Sequence, residues 1–151
     1  MNALQENRMN RVTADIPKGK QTTLGLYVTA REAYERWRAD PAGVTILDVR
    51  TPEELLFVGH PVMAWKIPVA VQRYEWDPVK KEFPMQLLSD FVTRVRKVTD
   101  PDDTILAMCR SGGRSAIAVN LLAQAGYKQV YNIVDGMEGD TVDDAQSVFV
   151  G

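Results

Sequence analysis

One cysteine and one histidine are all that this 151-residue chain carries of either residue. The lone cysteine, Cys109, excludes an internal disulfide. It also excludes an internal thiol that could resolve a covalent intermediate on sulfur, so an outside molecule has to discharge one. With only His60 beside it, the cysteine lacks the partners of a structural zinc site, and neither a metal nor a cofactor is expected. No apolar run approaches the roughly 20 residues of a membrane span. The 18 Lys and Arg nearly balance the 20 Asp and Glu, leaving a formal net charge of −2. Without a basic block, no nucleic-acid or membrane partner is expected. The first 21 residues are polar and lack the apolar segment of a signal peptide. A cytoplasmic location is therefore expected, or a periplasmic one if a signal was replaced by this start.

What is present reads as a single α/β domain. The 45% apolar content supplies a core. Residues 1–24 mix Asn, Gln, Arg, Lys, Pro and Gly and read as a loosely held, flexible arm. The domain spans 25–145, and 146–151 form a tail. Tyr27-Val28 is a candidate edge strand. Thr29 with Glu32 forms a capping box for a helix through Trp37 that stops near Asp40-Pro41. The run Val44 to Val49 reads as a buried strand. Thr51-Pro52-Glu53-Glu54 opens a short helix with proline in its first turn. Ala64 to Pro68 suggests another short strand, and Val69 to Pro84 is broken by Trp76-Asp77-Pro78 and Phe83-Pro84. Gln86 to Val98 has helical spacing, with Leu87, Leu88, Phe91, Val95 and Val98 near one face. Thr104 to Met108 is a strand, Ala116 to Ala123 a helix ending at Gly126, and Val130 to Val134 the last strand. Strands alternating with helices predict a central parallel sheet with helices on both faces.

The chemistry concentrates in Cys109-Arg110-Ser111-Gly112-Gly113-Arg114-Ser115. The cysteine falls where a strand ends and a helix begins. Backbone N–H groups at such a turn converge on an anion, and the helix dipole adds positive potential. Two nearby arginines further favour the anionic form of a thiol placed there. A lone cysteine is more often an inert core residue, but two arginines and two glycines after it fit a dry core poorly.

In order, Leu47-Asp48-Val49-Arg50-Thr51-Pro52-Glu53-Glu54, then Gly59-His60 with Ala64 and Ile67-Pro68, then the cysteine loop, then Gly126-Tyr127, Val130-Tyr131-Asn132 and Asp135-Gly136-Met137 resemble the rhodanese family of sulfurtransferases. The likeness covers roughly residues 26–140. It implies the rhodanese-like α/β fold, and a Cys109 that takes a sulfane sulfur from a donor such as thiosulfate, holds it as a persulfide and yields it to cyanide or a thiol. The expected partners are a small anionic sulfur donor and a thiol or cyanide acceptor; a protein acceptor is also open.

On this reading Cys109 is the nucleophile, and the N–H groups from Arg110 to Ser115 ring the transferred sulfur. Gly112 and Gly113 admit dihedrals closed to other residues. Ser111 and Ser115 add hydroxyl donors, unless Ser115 only caps the helix. Arg110 points outward toward an anionic donor. Arg114 either does the same or braces the loop on a carboxylate. Asp48 and Arg50 support the site at the strand-end rim, as an ion pair or by substrate contact. His60 reads as a hydrogen-bonded structural residue, and Trp65 and Trp76 as core or pocket wall.

Two other functions compete: a rhodanese-like sulfur carrier or interaction module, and a cysteine-dependent phosphatase or arsenate reductase. The latter place an arginine after five intervening residues, whereas four separate Cys109 from Arg114.

Overall fold

The structure is a computed structural model describing residues 15–140. Residues 1–14 of the predicted arm and the whole predicted tail lie outside the described residues. The elements are β1 (Tyr27–Val28), α1 (Ala30–Ala39), β2 (Val44–Asp48), α2 (Pro52–Phe57), β3 (Trp65–Lys66), β4 (Ala70–Gln72), β5 (Met85–Leu87), α3 (Phe91–Arg96), β6 (Thr104–Met108), α4 (Gly113–Gln124) and β7 (Val130–Ile133). Five strands form one all-parallel sheet in the order β1-β7-β6-β2-β3.

The alternation of the strands sorts the core into two layers, because successive side chains leave a strand on opposite faces. Leu47, Val49, Ile105, Ala107 and Cys109 face one way and pack with Phe91 and Val95 of α3 and Ala118, Val119 and Leu122 of α4. Ile46, Leu106 and Met108 face the other way, toward Ala33 and Trp37 of α1. The helices therefore cover both faces of the sheet. Register aligns Asp48 with Met108, and the Val49 N–H bonds to Met108 O at 2.9 Å. Asp48 and Cys109 thus emerge side by side at the carboxyl ends of neighbouring strands, where open parallel sheets place their sites.

Local signals built several of these elements as expected. Thr29 and Thr51 each cap their helix and receive a carboxylate in return, from Glu32 and Glu54. At the end of α4, the Gly126 and Tyr127 N–H groups bond back to Ala123 O and Leu122 O. With Gly126 at φ +98, this is a Schellman turn.

Three expectations are corrected. The helix predicted over 86–98 begins at Phe91, because Met85–Leu87 pair antiparallel with Ala70–Gln72 as a separate two-stranded sheet. That hairpin also orders part of the stretch read as irregular. Leu87, which matched the helical spacing, is half exposed, whereas Phe91 and Val95 are buried. Second, residues 15–24 are not loosely held. Lys20 reaches Val134 O at 2.9 Å and Asp140 at 2.9 Å, and the Thr23 N–H bonds to Asn120 at 2.9 Å. Third, Trp65 and Trp76 are half exposed rather than core. Trp65 sits on the sheet's edge strand, and Trp76 rests against Phe83 within the hairpin.

Phe91, 1% exposed at the start of α3, anchors the shortened helix. Phe91→Ala is expected to cost about 3–5 kcal/mol of stability, seen as a lower urea midpoint with an unchanged slope. A loss below about 1 kcal/mol would mean that the site collapses around the gap.

Candidate active site

Cys109 directly follows β6 and is 1% exposed. Its Sγ accepts the Gly112 N–H at 3.1 Å and lies 3.3 Å from Ser115 Oγ. Gly112 is the N-cap of α4 at φ +102, and a Cβ there would lie 2.6 Å from Val134 O. Both the left-handed backbone and the space require glycine. Gly113 differs from expectation: its φ is not positive, and an added Cβ would meet nothing closer than 4.0 Å. The first N–H to bond back into the loop is that of Ala116, to Gly112 O. The N–H groups of Gly113, Arg114 and Ser115 therefore open the helix without intrahelical acceptors, at the positive end of its dipole.

Ser115 does not cap the helix. It is fully buried and its hydroxyl donates to Asn132 Oδ1 at 2.6 Å. Asn132 donates in turn from Nδ2 to Gly112 O and to Lys20 O, both at 3.0 Å. Those two acceptors fix the orientation of the carboxamide. From the other side, the Met137 N–H bonds to Cys109 O and the Glu138 N–H to Arg110 O, both at 2.9 Å. Gly136 makes that approach possible: at φ +58, a Cβ there would sit 2.5 Å from Arg110 O.

The three arginines around the loop all face carboxylates. Arg114 makes two bonds to Glu54, at 2.6 and 2.8 Å. Burial alone would push the Glu54 carboxyl up, but the hydrogen bonds and charge of Arg114, with bonds from Thr51, hold it below its ordinary value. Burial likewise works against the Arg114 cation, and Glu54 outweighs it, so its pKa is raised. Of the two readings of Arg114, the geometry is that of a brace. Arg50 and Asp48 are fully buried and paired at 2.8 Å, and Arg50 Nη2 also reaches Gly59 O at 2.8 Å. The hydrogen bond to Asp48 raises the Arg50 pKa further. Among the described residues, Arg50 Nη1 has no hydrogen-bond partner. Arg110 points outward, half exposed, with Nε 3.3 Å from Glu138.

His60 is not the well-bonded structural residue expected: it is exposed, with Nδ1 3.5 Å from Pro61 O, the outer limit of a hydrogen bond. No bond joins Ser111 Oγ to Sγ among the described residues. A cavity of about 190 Å³, lined by Tyr34, Met63, Met108 and Met137 among others, opens on the α1 face, across the sheet from Cys109. No three His, Cys, Asp or Glu side chains group as metal ligands among the described residues. Nor is any helix there long and apolar enough to cross a membrane.

Glu54, Asn132, Lys20 and Glu138 are the site residues that sequence reasoning missed in these roles. Only Glu54 and Asn132 lay within the motifs, and nothing in the spacing marked their partners.

The family model of the Rhodanese-like domain matches residues 29–141. The chain belongs to this family. An uncharacterized Rickettsia prowazekii protein is 39% identical over 98 residues, covering 65% of this chain and 72% of the relative. Thiosulfate sulfurtransferase 16 of Arabidopsis thaliana, a chloroplastic protein, is 36% identical over 95 residues, covering 63% and 72%. Among solved structures, an M. tuberculosis protein superposes with a TM-score of 0.56 at 24% identity, covering 79% of this chain and 83% of that one. The polysulfide-sulfur transferase of Wolinella succinogenes gives 0.54 at 21% identity, covering 89% and 80%. At those identities the structural likeness concerns the fold alone. The family places this rhodanese-like domain among sulfurtransferases.

Two outcomes follow from this geometry. Because the Glu54 carboxyl is depressed in the fold, its stabilising pair is complete above the ordinary glutamate value of about 4.3 and is lost as pH falls through the lower folded value. The stability gap between wild type and Glu54→Gln, from urea midpoints, is therefore expected to be constant near neutrality and to close in acid; a gap that widens in acid would contradict the pairing. Gly136→Ala is expected to cost about 1–3 kcal/mol through backbone strain, with a further shift where its Cβ meets the loop carbonyls. An unchanged melting midpoint would show that the turn tolerates the methyl group.

Proposed function

We propose that the protein is a sulfurtransferase that carries a sulfane sulfur on Cys109, taking it from a donor such as thiosulfate and passing it to cyanide, a small thiol or a protein thiol. The observation that carries this reading is the sulfur's placement. Sγ sits on the first turn of α4, touched by the Gly112 N–H at 3.1 Å, with three further helix-start N–H groups lacking intrahelical acceptors.

The chemistry asks for a nucleophile and a cradle for a monatomic anion. Deprotonated Sγ attacks the outer sulfur of thiosulfate, the S–S bond of the donor breaks, and its electron pair leaves with sulfite. The product is a persulfide anion on Cys109. Its terminal sulfur carries the charge, and the N–H groups of the loop and the helix dipole offset that charge without a general base. Cyanide then attacks the terminal sulfur and leaves as thiocyanate, returning the thiolate. Because the chain has a single cysteine, the second step falls to an external acceptor. The likeness to thiosulfate sulfurtransferase 16 supports this reading.

Arg110 supplies attraction at the mouth, while Arg114, held by Glu54, and the buried Asp48–Arg50 pair keep the loop in shape. A phosphatase would need its loop arginine turned onto a tetrahedral oxyanion, and Arg114 is committed elsewhere. Cys109→Ser is expected to lower thiosulfate:cyanide turnover by several orders of magnitude with the fold intact by circular dichroism. Substantial turnover in the folded variant would sink the assignment. Cys109-dependent hydrolysis of an aryl phosphate at a rate rivalling sulfur transfer would favour the phosphatase.

A further inference from the structure

Every guanidinium around the loop is neutralised, and the pairs form a gradient of depth. Asp48–Arg50 is wholly buried, Glu54–Arg114 is 16% and 17% exposed, and Glu138–Arg110 is the outermost at 34% and 47%. A donor approaching Cys109 therefore meets Arg110 and Glu138 first. Glu138 is fixed there by its own backbone, whose N–H bonds to Arg110 O at 2.9 Å. The two charges ride on one hydrogen-bonded turn and enter the mouth together. A mouth built to gather a dianion would leave Arg110 free. Here the attraction of Arg110 for an anion is opposed by a carboxylate 3.3 Å from its Nε.

We infer that Glu138 sets the charge of the sulfur donor: by offsetting Arg110 it disfavours the dianion thiosulfate relative to sulfane-sulfur donors carrying one negative charge or none, such as persulfides and thiosulfonates. This rests on the sulfur-transfer reading of Cys109. The chemistry is the same for each donor. Sγ bonds to the outer sulfur, the donor's S–S bond breaks, and the electron pair leaves with sulfite, a thiolate or a sulfinate.

A charge effect of Glu138 differs from structural damage in its dependence on the donor, because Coulomb energy is proportional to the donor's charge. Taking a separation of about 6 Å in water, removing one repelling charge is worth roughly threefold in affinity to a monoanion and about tenfold to a dianion. The fold-change for the dianion is thus the square of that for the monoanion. The exposed pair itself adds little to stability, so Glu138→Gln folds.

The test compares wild type with Glu138→Gln using two donors of similar leaving group, thiosulfate and methanethiosulfonate, with cyanide as acceptor. The KM for thiosulfate is expected to fall about tenfold and that for methanethiosulfonate about threefold, with kcat unchanged. Both gains shrink as salt is added. Equal changes for the two donors, or none, would overturn the inference. A second readout needs no sulfur transfer: the rate of Cys109 alkylation by anionic iodoacetate relative to neutral iodoacetamide. That ratio is expected to rise severalfold in Glu138→Gln, and an unchanged ratio would overturn the inference. If neither protein transfers sulfur from either donor, the proposed function fails, and the alkylation ratio still decides the role of Glu138.

Discussion

The site depends on one buried carboxamide. Asn132 stands on β7, yet its Nδ2 holds the carbonyl of the Gly112 cap and the carbonyl of Lys20, while its Oδ1 holds the hydroxyl of Ser115. Three separate stretches of chain thereby meet at one fully buried side chain. Removing the carboxamide would take a hydrogen bond from each of those groups, a net loss of about 0.5–1.5 kcal/mol per bond. The left-handed Gly112, whose N–H touches Sγ, is held in place by this arrangement. The segment 15–24 precedes the region matched by the family, so a part of the chain outside that region helps to hold the loop.

Around this neutral centre the charges are arranged to hold shape rather than to create a field. Buried ion pairs contribute little net stability unless their geometry is good and their remaining hydrogen-bonding capacity is met. Asp48–Arg50 satisfies most of this through two side-chain bonds and the Gly59 carbonyl. Glu54 serves two elements: it closes the capping box of α2 and grips Arg114 on α4. What remains positive at the sulfur is the start of α4 and its N–H groups. That distribution suits a small charge confined to one atom, which is what a persulfide presents.

The parts legible in the sequence were those whose cause is local. Thr29 with Glu32, and Thr51 with Glu54, declare helix starts within four residues. Gly126 declares a helix end, and the unbroken apolar run Ile105, Leu106 and Ala107 declares a strand buried on both faces. Cys109 and its loop stood out because glycines and arginines are poor core residues. What stayed hidden was non-local. Met85–Leu87 became a strand only because Ala70–Gln72 lies beside it, against a spacing that favoured helix. Arg114 and Glu54 are 60 residues apart, and no spacing rule joins them. Asn132 read as a strand residue, and Lys20 as part of a loose arm. Their roles come from a parallel sheet that brings distant strand ends together.

In the proposed reaction Cys109 itself holds the transferred sulfur. The most direct measurement is the mass of the Cys109 peptide after the protein is incubated with thiosulfate, and again after cyanide is added. A gain of one sulfur atom on Cys109 is expected, removed by cyanide as thiocyanate appears in equal amount. A peptide that never gains sulfur, in a folded protein whose Cys109 still alkylates, would contradict it.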